Sequence, residues 1–126
     1  MKKMDKEIQI YIKNKIKNIT NPAPLTKIEE ILVDERTAWQ GFQQGKLYIK
    51  DAHTKKYHSI LFKIEAFTGY EDDEDVYEPD EFPTLLLGDL LIPLDWEDKL
   101  FIFGILKEVF PTTEIHRGKS IIVKEQ

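Results

Sequence analysis

The eleven residues Glu71–Glu81 carry eight carboxylates and no cation. Charges in such a run repel one another and are not buried without partners, so the segment belongs on the surface. The imbalance reaches well beyond it. From Ile64 to Asp98 there is no Lys or Arg, and that window holds thirteen of the twenty-three acids. All eighteen basic residues lie outside it, so the formal charge of −5 divides into −13 in the window and +8 elsewhere. The remainder of the chain reads as a scaffold that holds the acidic segment and offsets its charge.

A chain of 126 residues, 41% hydrophobic and 33% charged, suits one soluble globular domain over 1–126. With no cysteine, disulfides, thiol catalysis and thiolate metal sites are excluded together. The basic N-terminus runs into isoleucines interrupted by Lys and Asn, so no secretory signal is expected. No apolar run approaches the ~20 residues that span a bilayer, and no membrane partner is expected. The sequon Asn18-Ile19-Thr20 would matter only in a secreted protein. The expected location is the cytoplasm.

Ile8, Tyr11, Ile12, Ile16 and Ile19 make one helical stripe from about Asp5 to Ile19, which Asn21-Pro22-Ala23-Pro24 ends. Thr26-Lys27-Ile28-Glu29 has the form of a capping box. Ile28, Ile31, Leu32, Glu35, Trp39 and Phe42 continue it at helical spacing until Gly41 and Gly45. Residues 1–45 are therefore expected to form a helical hairpin, and 46–126 to be mainly β with an acidic loop over 68–83.

Lys46–Lys50 reads as a short strand, followed by a turn over Asp51–Lys56. Tyr57–Phe67 alternates, with Ile60, Phe62, Ile64 and Ala66 on one face and Leu61, Lys63, Glu65 and Phe67 on the other. Thr84–Leu94 is apolar and punctuated by Gly88 and Pro93. Lys99–Phe110 is read as a buried strand with a bulge at Gly104. A helix capped by Asp95 and stopped at Pro111 competes with that reading. His116-Arg117-Gly118-Lys119 reads as a turn into a last strand, Ser120–Lys124. The expected class is α+β: a helical hairpin on a four- or five-stranded antiparallel sheet, open or closed into a small barrel.

The acidic segment has three readings: a solvated loop, a docking surface, or a calcium site. The last fails, because Val76 and Phe82 stand where an EF-hand loop needs its Gly and its bidentate Glu. For docking, Tyr70, Tyr77 and Phe82 lie among Glu71, Asp72, Asp73, Glu74, Asp75, Glu78, Asp80 and Glu81, as interface aromatics do.

Gly118-Lys119-Ser120 lacks the earlier Gly of a phosphate-binding loop, since Thr113 occupies its place. Asp51, His53 and His58 would make a crude metal site, with solvated residues beside a turn as the default. His58-Ser59 has no nucleophile-elbow glycines. No cofactor and no catalytic residue is assigned. The leading expectation is a non-enzymatic module that docks a basic protein surface through Tyr70–Phe82, of inhibitor, immunity or nucleic-acid-mimic type. The competing one is a nucleic-acid-binding small β-barrel with a basic N-terminal helix, carrying Lys2, Lys3, Lys6, Lys13, Lys15 and Lys17.

Overall fold

The structure, a computed structural model, describes residues 4–20, 23–39, 42–65, 84–94 and 101–118. Its class is α+β, as expected. The first helix, α1, spans Lys6–Lys17. Asp5 caps it by accepting a hydrogen bond from the Glu7 amide at 2.9 Å. Ile12 and Ile16 are buried, with Ile8 and Ile19 packed beside them. Tyr11, placed on the same stripe by spacing, is half-exposed instead.

Beyond α1 the expected helical hairpin is absent. The second element is a strand, β1 (Ile28–Trp39), which pairs antiparallel with β2 (Phe42–Asp51). Ile31 and Leu32, which a helix would set on one side, point to opposite faces and are both buried. A strand with apolar residues on both faces loses its period-2 signature, and its Ile, Val and Thr content suits a strand better than a helix. Gly45 does not stop a helix either. It lies within β2 opposite Glu35, where β1 has a register irregularity. A Cβ there would overlap the Asp34 carbonyl oxygen, so the close approach of the two strands demands glycine.

The turn over Asp51–Lys56 falls where the sequence puts it, and the strand expected over Tyr57–Phe67 is found as β3 (Tyr57–Glu65), its Ala66 and Phe67 lying outside the described residues. Ile60, Phe62 and Ile64 join the core, while Leu61 and Glu65 are exposed. The apolar stretch after the acidic segment folds as a hairpin of β4 (Thr84–Leu87) and β5 (Leu90–Pro93). Gly88 makes its turn at φ 65°, a conformation that side chains disfavour.

Lys99–Phe110 is corrected from strand to helix: α2 spans Ile102–Val109. Ile102, Ile105, Leu106 and Val109 form one buried stripe, and Gly104 stands on the exposed side rather than in a bulge. The expected cap is also replaced. Phe101 holds the cap position without a side-chain bond, and the Ile102 amide donates at 2.8 Å to Oε1 of Gln43 on β2. The last strand, β6, is Glu114–Arg117, so His116 and Arg117 belong to a strand, not a turn; Ser120–Lys124 lies outside the described residues.

The described sheet has six strands in the order β5-β4-β3-β2-β1-β6, all neighbours antiparallel except β1 and β6. It is mixed and open, with β5 and β6 as its edges, in place of the four- or five-stranded sheet or barrel expected. Both helices lie on one face: they touch each other, α1 meets β5, and α2 meets β6.

Two substitutions test this arrangement by urea denaturation. Gly104→Ala should raise stability by up to about 1 kcal/mol, the helix-propensity gain at an exposed site, whereas a methyl added to a buried bulge would lower it. Gln43→Ala, which strands the Ile102 amide and one oxygen of Glu35, should lower it by about 1–3 kcal/mol.

Candidate functional site

Strand β3 leads from one end of the molecule to the other. At its C-terminal end Glu65 pairs with Thr84 of β4, so the acidic connection leaves and returns across one strand pair. The expected docking residues themselves, Tyr70, Glu71, Asp72, Asp73, Glu74, Asp75, Tyr77, Glu78, Asp80, Glu81 and Phe82, lie outside the described residues. What is described is the surface beside their anchor points. On the sheet face away from the helices, Leu86 and Leu91 are exposed opposite each other on β4 and β5, with Lys63 of β3 opposite Leu86 and the exposed Leu61 diagonal to it. Gln44, Lys46 and Lys63 border a shallow depression of about 340 Å³ there.

On the helix face near the same end, Gln43 is the one buried polar residue among those described. Its amide donates to Glu35 of β1, whose other oxygen accepts from Arg117 Nη1 of β6 at 2.7 Å. The Arg117 guanidinium lies 4.9 Å from the Phe103 ring centre on α2. This chain joins β2, β1, β6 and α2. Both carboxylate oxygens of Glu35 have partners, which suits it to a structural role rather than to proton transfer.

The opposite end is cationic. A depression of about 860 Å³ opens between the C-terminal half of α1, the approach to β1, the β2–β3 turn and the α2–β6 connection. Lys13 and Lys17 come from one side of α1, Lys27 precedes β1, and His53 and Lys55 come from the turn. The turn is closed by the Asp51 carboxylate, which accepts from the His53 amide at 2.8 Å. That bond, and contacts to Thr54, hold the Asp51 carboxyl below its usual range.

Glu29 also lines the depression, but its charge is engaged: Lys55 reaches it at 2.6 Å and Lys50 at 3.6 Å. The Lys55 hydrogen bond, then the Lys50 charge, hold its carboxyl below the ordinary range. Glu114 meets His116 at 3.1 Å, and His116 lies 4.0 Å from Glu30. Lys50 also sits 5.5 Å from the Tyr57 ring centre, whose hydroxyl donates to Glu30.

Sequence reading assigned Lys13 and Lys17 to a basic helix but had no signal for Lys27, His53 and Lys55 as their neighbours, because only the fold brings them together. Asp51, His53 and His58 do not gather into a site. Among the described residues no group of three or more His, Asp or Glu side chains converges on a metal position. No helix among them is long and apolar enough to cross a membrane. No family model, curated protein or solved structure matches the chain.

The carboxylates that bind lysines give a pH prediction. The Lys15 hydrogen bond lowers the Asp89 pKa as the Lys55 bond lowers that of Glu29. A carboxyl with a depressed folded pKa stabilises the fold above its unfolded value, and that contribution is lost as pH falls through the folded value. The melting temperature should therefore drop between about pH 5 and about pH 3, the range that ordinary carboxylates enter on acidification. The double variant Glu29→Gln, Asp89→Asn should show a shallower drop. Because both pairs are exposed, the difference should shrink in ~1 M salt.

Proposed function

We propose that the protein is a small non-enzymatic interaction module that docks a basic protein surface through Tyr70–Phe82. Inhibitors, immunity proteins and nucleic-acid mimics share this logic, in which carboxylates occupy the surface that phosphates would otherwise fill.

The observation that carries the reading is the placing of the segment's anchors. Its ends are held together by the Glu65–Thr84 pair, at the end of β3 away from the lysine-lined depression. β3 has nine residues, which at about 3.3 Å rise each set its own two ends about 26 Å apart. The clustered lysines of the depression are thus remote from the anchors; Lys46 and Lys63 lie nearer, and Lys63 meets Glu65 at 3.3 Å. The exposed leucines on the neighbouring strands supply the apolar contact that a charged rim lacks. The rival reading as a nucleic-acid-binding barrel no longer has its barrel, since the sheet is open.

Partners captured from the native source, or a panel of purified basic proteins, can be titrated at about 50 mM and about 500 mM salt. Affinity should fall at least about ten-fold in the higher salt, mainly through a slower association rate. The triple change Glu74→Ala, Asp75→Ala, Glu78→Ala should produce a comparable loss at low salt. Binding indifferent to both ionic strength and the triple change would overturn the proposal.

A further inference from the structure

We propose that the depression at the cationic end is a binding site for a small organic phosphate carrying two or more negative charges. Four separate stretches of chain supply its wall, so it is assembled by the fold and not by one basic helix. Of its carboxylates, Glu29 is paired with Lys55 and Lys50, and Glu114 lies 3.1 Å from the His116 ring nitrogen. Lys13, Lys17 and Lys27 line the same hollow with no ion pair formed to an acid among the described residues. With Glu29 matched by Lys55, these three ammonium groups set against the Glu114 carboxylate leave an excess of two positive charges around one concavity, which attracts an anion of similar total charge.

The other lining groups fit phosphate chemistry. Thr26, Thr112 and Thr113 bring hydroxyl donors, and phosphate oxygens accept such bonds alongside lysine. Ile28, Ala52 and Phe110 add apolar wall, which suits the organic part of a ligand more than a bare ion. The volume, about 860 Å³, falls within the range of small-molecule sites, roughly 300–1,000 Å³, and well above what one inorganic phosphate fills. The site lies at the far end of β3 from the acidic connection and does not depend on its role.

Titration calorimetry on the full chain at about 50 mM salt tests the assignment, with ATP, inorganic pyrophosphate and a short single-stranded oligonucleotide as probes. ATP is expected to bind one to one, with pyrophosphate binding the same site. Lys13→Ala, Lys17→Ala and Lys27→Ala should each weaken ATP binding by about ten-fold, the usual loss for one charge-assisted contact. Lys107→Ala, an exposed change on α2 outside the depression, should leave it unaltered, as should the triple change at Glu74, Asp75 and Glu78. Circular dichroism of each variant separates lost binding from lost folding. Absence of ATP and pyrophosphate binding would overturn the site. So would equal weakening by Lys107→Ala, which marks diffuse attraction, or binding confined to the oligonucleotide, which marks a nucleic-acid surface.

Discussion

β1 is hydrogen-bonded along both of its edges, antiparallel to β2 and, from Glu30 to Val33, parallel to β6. That double pairing sets the inward direction for the whole sheet. With Ile31 opposite Ile49 and Val33 opposite Leu47, the helix-facing positions of β2 follow, and β3 then takes its face from β2. A slip of one residue would turn Glu30 and Asp34 toward the helices and put Ile31 and Val33 outside. The parallel partner cannot arrive by a hairpin, so the chain crosses the helix-facing side as α2 before β6 is laid down. α2 therefore covers the β6 side of that face, and α1 covers the side of β5.

Among the described residues, one polar side chain, Gln43, is fully buried in this apolar layer. Gln43 carries both a donor and an acceptor, and each is used: the acceptor by the first amide of α2 and the donor by Glu35. A helix that begins at Phe101 with no capping side chain of its own would leave that amide unsatisfied in a buried place. Gln43 removes the cost and ties the start of α2 to one point on β2. An apolar residue there would pack, but it would not tell α2 where to begin.

The elements legible in the sequence were those with a single buried face. α1 shows a 3.6-residue stripe and β3 a clean alternation, whereas Thr84–Leu94 shows an apolar run punctuated by Gly88 and only the fold makes it the β4–β5 hairpin. The residue pattern of β1 reads as a helix, and that of α2 as a strand. β1 buries both Ile31 and Leu32, so its apolar residues mimic helical spacing. The sequence leading into α2 is apolar from Leu100 to Leu106 around Gly104, so the stripe of Ile102, Ile105, Leu106 and Val109 merges into an unbroken run. Short apolar runs carry no decisive period, and neighbouring elements choose between the two. For the sites the contrast is similar. Glu71–Glu81 is visible as composition, whereas the lysines of the depression lie on three stretches distant in sequence.

The separation of charge follows from the parity of a meander. In antiparallel strands alternate connections emerge at alternate ends, so β1–β2 and β3–β4 share one end, while β2–β3 and β4–β5 point the other way. The acid-rich window contributes the β3–β4 connection, and the lysine-bearing turn Asp51–Lys56 is the β2–β3 one. Asp89 tests the rule from within. Although it belongs to the cation-free window, it sits on the β4–β5 turn, directed toward the basic end, and there Lys15 of α1 holds it. About 26 Å along a strand is some three Debye lengths at physiological salt, where one is ~8 Å. Charges fixed at opposite ends of such a strand are therefore largely screened from each other. The cationic hollow therefore acts on a ligand by its own charges, whatever the β3–β4 connection carries at the other end of the strand.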